Sequence, residues 1–139
     1  MKIVLDTNCL LPAVFPRSIY HWIWKSFRRG DFTLCYSNEI IAEYEELLSS
    51  LYHPEVVEHT IHLLLASHNV EKVIPYFKWN LISVDPDDNK FVDCALNSGA
   101  DCIVTNDKHF NALKNIDFPK IDIIDIEIFK KIISIIPLP

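Results

Sequence analysis

Four carboxylates, far apart along the chain, have the residue types and settings from which chemistry could begin: Asp6, one of the pair Glu43 and Glu45, Asp88 and Asp107. Inward-facing carboxylates cost several kcal/mol of desolvation unless they are paired, protonated or bound to a cation. Several of them gathered at one place therefore call for a counter-ion. An oxygen-only donor set selects Mg²⁺ or Mn²⁺ over softer metals. The six histidines form no H-E-x-x-H motif, and His59 with His62 lacks a partnering pattern, so zinc is not indicated.

The elements around these acids explain why they should converge. Ile3, Val4 and Leu5 read as a strand buried on both faces of a parallel sheet, and Asp6 stands where it ends. "CIVT" at 102–105 is a second such strand, with Asp107 two residues beyond it, where it could equally cap the short helix-like "DKHFNAL". Helical spacing sets Asp88 on the face of Phe91, Val92 and Ala95, with Asp93 nearly opposite and facing solvent. On the helix from Glu39 to Leu51, capped by Asn38, the stripe Ile40, Ile41, Tyr44, Leu47, Leu48 and Leu51 leaves Glu39 and Glu46 on the polar side. Glu43 and Glu45 lie at its two edges, and periodicity does not choose between them.

The remaining pattern fills out an α/β protein. Ser18–Arg29 reads as a helix through Ile19, Trp22, Ile23 and Phe27, stopped by Gly30, with Trp22 in the core. "FTLCY" at 32–36 is a strand, and Pro54 opens a helix through Val56, Val57, Ile61, Leu64 and Leu65. Residues 69–84 show no clear period. Asp85 caps, Pro86 opens and Gly99 closes another helix; "KIDIID" at 120–125 is a last strand and Ile126–Ile136 a last helix. Helices alternating with apolar strands predict a three-layer α/β/α sandwich, Rossmann-like, around a mainly parallel sheet. Ligands of such sheets gather outside the carboxyl ends of the strands.

The bulk composition sets bounds. A chain of 139 residues with 50% hydrophobic content reads as a single domain over 1–139 with enough apolar residues for a core. Four cysteines without C-x-x-C spacing, and an N-terminus without a secretory layout, point to free thiols in a cytoplasmic setting. No apolar stretch approaches the roughly 20 residues of a membrane span. A net charge of −6 opposes binding to phosphates, but Thr7 to Gly30 contains no acid and carries Arg17, Lys25, Arg28 and Arg29. That basic, aromatic-rich stretch reads as a phosphate-contacting face, or else as a solvated helix edge.

In order along the chain, "VLDTNCLL", "SNEIIAEYEELL", "VDPDDNKFVDCAL" and "GADCIVTNDKHF" resemble the four blocks of the PIN domain, and especially the small prokaryotic PIN proteins that are toxin components of toxin–antitoxin pairs. The resemblance covers nearly the whole chain. It implies a metal-dependent ribonuclease in which Asp6, Glu43, Asp88 and Asp107 hold Mg²⁺ or Mn²⁺, with Asn8 and Thr105 in support. It also implies products with a 5′-phosphate and a 3′-hydroxyl, and an antitoxin partner. Asp93 occupies an often acidic position, which its outward helical face sets against direct ligation.

Two other classes fit parts of the pattern. A scaffold that binds RNA or protein without cutting would share the fold, although all four acids are present. A haloacid-dehalogenase-like phosphatase would carry a second Asp two residues after the first, where Asn8 stands. The closing "IEIFKKIISIIPLP" is apolar on more than one side, as in a homodimer or antitoxin interface, or in a buried last helix.

Overall fold

The computed structural model describes residues 1–83 and 85–135. β1 (Lys2–Leu5), β2 (Thr33–Tyr36), β3 (Val70–Lys72), β4 (Cys102–Val104) and β5 (Asp122–Ile124) form one parallel sheet in the order β3-β2-β1-β4-β5. Helices cover both faces, giving the three-layer α/β/α sandwich. The helices are α1 (Thr7–Val14), α2 (His21–Arg29), α3 (Asn38–Leu51), α4 (Pro54–Ala66), α5 (Asn89–Ser98) and α6 (Ile126–Ser134), with 3₁₀ turns at Pro86–Asp88 and Lys108–Asn115. Beyond Lys2 the central strands β1 and β4 are apolar, and Ile3, Val4, Leu5, Ile103 and Val104 are buried, as are the large side chains of Tyr44, Phe91, Phe110 and Phe129.

Several sequence expectations are corrected. α1 starts directly behind Asp6, although "TNCLLPAV" contains Pro12 and shows no clean stripe. α2 begins at His21 rather than Ser18: residues 16–20 make turns in which the Ser18 hydroxyl accepts from the Tyr20 amide at 3.1 Å. Ile19 is consequently 80% exposed, while Trp22 is half-buried against Phe129 at 5.7 Å between ring centroids. Ser37, not Asn38, caps α3 by accepting from the Ile40 amide. Leu51 is exposed at the helix end, and on α4 the inward face is Val57, Thr60 and Leu64, with Val56 and Leu65 outside. The last helix ends at Ser134, and Ile136 lies outside the described residues.

The stretch without a period, 69–84, divides into two parts. Its start is the edge strand β3, anchored by the buried Asn69, whose side-chain amide donates to the Phe27 and Phe32 carbonyls at 2.9 Å each. The following residues lie without helix or strand along α5. There the Trp79 amide donates to Asp93 at 2.9 Å, and the Asn89 side chain bonds both the amide and the carbonyl of Ile82. Asp93 is therefore 5% exposed, not solvated as helical periodicity on α5 alone implies. Both faces of α5 are covered, one by the sheet and one by this segment.

All four cysteines are free and buried. Burial pushes the thiols of Cys9 and Cys102 up to about 12, so they pack as small apolar groups and stay protonated. Among the described residues no helix is long and apolar enough to cross a membrane.

Candidate metal centre

The sheet order reverses at β1: the chain moves outward through β2 and β3, then returns to lay β4 on the other side of β1. The crevice of such a sheet lies at the carboxyl ends of the two strands flanking that reversal. Register sets Leu5 beside Val104, so the next residues, Asp6 and Thr105, emerge together. The Asp6 amide donates to the Val104 carbonyl at 3.0 Å, and the Thr105 hydroxyl donates to Asp6 Oδ2 at 2.7 Å. Asp6 is 4% exposed. Burial raises its pKa, and the negative charges of Asp107 and Glu43 add to the rise against the lowering effect of Thr105.

Glu43, on α3, is the edge glutamate that reaches the crevice, and Glu45 is exposed. One Glu43 oxygen accepts from the buried Thr7 hydroxyl, and the other pairs with Lys90 Nζ at 2.8 Å. Asp107 caps the 3₁₀ turn by accepting from the His109 amide at 2.9 Å, and the same oxygen lies 3.5 Å from His109 Nδ1. Thr105 links the two strand ends, because its hydroxyl also accepts from the Asp107 amide at 3.0 Å. Asn8 is exposed, and the side chain that braces the cluster from this segment is that of Thr7.

Asp88 lies in the 3₁₀ turn ahead of α5, with its Oδ2 buried and without a hydrogen-bond partner. Burial, then Asp85, Asp107 and Asp6, push its carboxyl up to about 6 against the opposing contact with His109. Asp85, Asp88 and His109 each offer a ligand atom within 4.8 Å of the others, the one such trio among the described residues. A buried, unpartnered carboxylate oxygen among like charges fits a divalent cation.

Sequence reasoning missed Thr7, Lys90, His109 and Asp85 as members of this cluster. Lys90 is the hardest to find, since a lysine in "DDNKF" reads as solvated until the fold brings α3 beside it. The structure does not bring the basic residues of α2 to the acids. Gly30 turns the chain from α2 into the start of β2, which pairs with the start of β1, so Arg28 and Arg29 lie toward the amino ends of the strands. Arg29 is also engaged by Asp31 at 2.8 Å.

The PIN-domain family profile matches residues 2–109. The chain belongs to the PIN-domain family. Members of that family are typically nucleases, and the acids of this PIN domain collect within the matched span. Among solved structures it is similar to one described as VapBC2 from Rickettsia felis bound to a DNA fragment from their promoter, with a TM-score of 0.62 and 17% identity, covering 90% of this chain and 98% of that one. At that identity the likeness speaks for the fold. No curated protein matches this PIN domain in sequence.

Proposed function

We propose that this PIN domain is a Mg²⁺- or Mn²⁺-dependent endoribonuclease acting on single-stranded RNA, and the toxin of a toxin–antitoxin pair. The observation that carries the reading is the convergence of Asp6, Glu43, Asp88 and Asp107 at the sheet's reversal point, with one carboxylate oxygen buried and unsatisfied. The similarity to VapBC2 supports an antitoxin partner. When bound, a divalent ion supplies charge for the phosphodiester and a water acidic enough to attack it. Asp6, Asp88 and Asp107 would hold that ion, Thr105 fixes the Asp6 carboxylate, and Thr7 with Lys90 fixes Glu43. Glu43 would steer the attacking water or accept its proton. Single-stranded RNA suits this reading because its flexible backbone can bring one phosphate to the acids.

Labelled single-stranded RNA incubated with the protein tests this directly. Cleavage is expected with Mn²⁺ or Mg²⁺, none with EDTA, and none by Asp6→Asn under either ion. Cutting that continues in EDTA overturns the reading.

Guidance of RNA by Arg17, Lys25, Arg28 and Arg29 is part of the proposal, with the reach set by the fold. Reversing Arg28 and Arg29 to glutamate should flatten the salt dependence of binding for a long RNA, by about 0.7 in the log–log slope for each phosphate no longer neutralised. An oligonucleotide of about four residues, filling only the crevice, should be unaffected. Equal slopes for wild type and variant on the long RNA would remove α2 from the binding face.

A further inference from the structure

The 3₁₀ turn behind Asp107 has a period of its own. Such a helix repeats about every 3 residues, so side chains three apart stack on one face. Over Lys108–Asn115, Phe110 and Leu113 are 0% and 2% exposed, which fixes one face into the core. Lys108, Asn111 and Lys114 share another face, and all three are exposed. With a rise of about 2 Å per residue, that face presents an ammonium, an amide and a second ammonium in a row, about 6 Å apart.

These three side chains line a groove of about 330 Å³ at the carboxyl ends of β4 and β5. Thr105 and Asp107 line it as well, and Thr105 is the residue whose hydroxyl donates to Asp6 at 2.7 Å. The groove therefore continues from the acid crevice between β1 and β4 toward the outer strand β5. Two acids in its wall are engaged as caps: Asp107 Oδ1 accepts from the His109 amide at 2.9 Å, and Asp125 Oδ1 from the Ile128 amide at 2.8 Å. Lys2, Arg29 and Lys90 are ion-paired, whereas neither Lys108 nor Lys114 pairs with a carboxylate among the described residues. Free ammonium groups beside an acidic crevice attract a polyanion that the acids themselves repel. Phosphates recur about every 3.4 Å along the axis of a stacked strand and farther apart in a drawn-out one, so donors about 6 Å apart suit consecutive phosphates of an extended single strand.

Resting on the nuclease reading above, we infer that Lys108 and Lys114 are positioning residues that hold the phosphates next to the scissile one, so that the RNA strand crosses the ends of β4 and β5 as it leaves the acids.

The test measures cutting of a single-stranded RNA of about six nucleotides with Mn²⁺. The wild type is compared with a variant carrying Lys108→Gln and Lys114→Gln, and with a control carrying Lys130→Gln and Lys131→Gln, which removes the same charge from exposed positions on α6 outside the groove. The groove variant should raise KM about tenfold, keep kcat within about twofold, and lower the salt slope of kcat/KM by about 0.7 for each phosphate released. Lys108→Arg with Lys114→Arg should keep the wild-type KM, and the α6 control should match the wild type. Replacing a phosphate that flanks the scissile bond by an uncharged methylphosphonate, on each side in turn, should on one side raise KM for the wild type and leave the groove variant unaffected. Equal KM and salt slope in wild type and groove variant, or equal sensitivity of the two to the methylphosphonate on both sides, overturns the inference and leaves the nuclease standing. A KM raised equally in the α6 control does the same. A wild type that cuts no RNA overturns both.

Discussion

Asp88→Asn should abolish RNA cutting and, at the same time, make the ion-free protein more stable at neutral pH. The two effects have one cause. Burial and three neighbouring acids hold the Asp88 carboxyl at about 6, above the ordinary value of 3.8, so folding favours its protonated form. Its contribution to stability is complete below about pH 4 and is lost as the pH rises through about 6. The cost of keeping it ionised at pH 7.5 is about 2 kcal/mol once solvent at the mouth of the crevice is allowed for. Asp6 and Asp93, also raised by burial, add to this in the same direction.

The wild type in EDTA should therefore melt at a lower temperature at pH 7.5 than at pH 5, and Mn²⁺ should restore the difference. The asparagine side chain of the variant carries no charge to desolvate and can donate to the neighbouring carboxylates. The melting temperature of Asp88→Asn in EDTA at pH 7.5 should exceed that of the wild type by roughly 5 °C, while cleavage with Mn²⁺ falls at least about 100- to 1,000-fold. Differential scanning calorimetry at the two pH values, with and without Mn²⁺, reads the first part, and RNA cleavage reads the second. A variant less stable than wild type in EDTA would mean that Asp88 is held by a bond that its surroundings do not show.

How far the sequence reveals this arrangement depends on whether the responsible interaction is local. β1 and β4 announce themselves as short apolar runs, and Asp6 and Asp107 follow them because a parallel sheet places its carboxyl ends at one crevice. Asp85 as a cap and Gly99 at the helix end, with φ of 69°, are likewise local features that periodicity and turn chemistry capture. Asp93 is misread because helical spacing on α5 describes one element, whereas the partner that buries it comes from a segment with no period of its own. Trp22 and Ile19 fail as a stripe because turns at 16–20 delay the start of α2. The same limit hides Lys90 and Thr7, whose roles exist only once α3 lies across the end of β1. Periodicity leaves Glu43 and Glu45 equivalent, and the distinction comes from what stands opposite each of them.

That opposing group is the source of the second large effect. Lys90→Met keeps the side-chain stem but removes the charge, and should destabilise the ion-free protein by about 2–4 kcal/mol. Lys90 Nζ is 2.8 Å from Glu43, 3.1 Å from Asp87 Oδ2 and 3.1 Å from the Asp87 carbonyl, and lies 5.3 Å from the Phe91 ring centroid. Its side chain is only 9% exposed and that of Glu43 20%. Burial works against the ammonium, yet Glu43 and Asp87 outweigh it and the Lys90 pKa is raised, so the ammonium stays charged at neutral pH. Asp87 is 76% exposed and contributes little, which leaves Glu43 as the partner that matters. Without Lys90 the half-buried Glu43 carboxyl would keep only the Thr7 hydroxyl as a partner, with no counter-charge beside it. Glu43→Gln in the same background removes that carboxyl, so the double variant should recover much of the loss. The cycle should give a coupling of about 2 kcal/mol by urea unfolding in EDTA. If the two substitutions merely add, the ion pair carries no net energy, and Glu43 is free to take a cation from solution in place of the lysine.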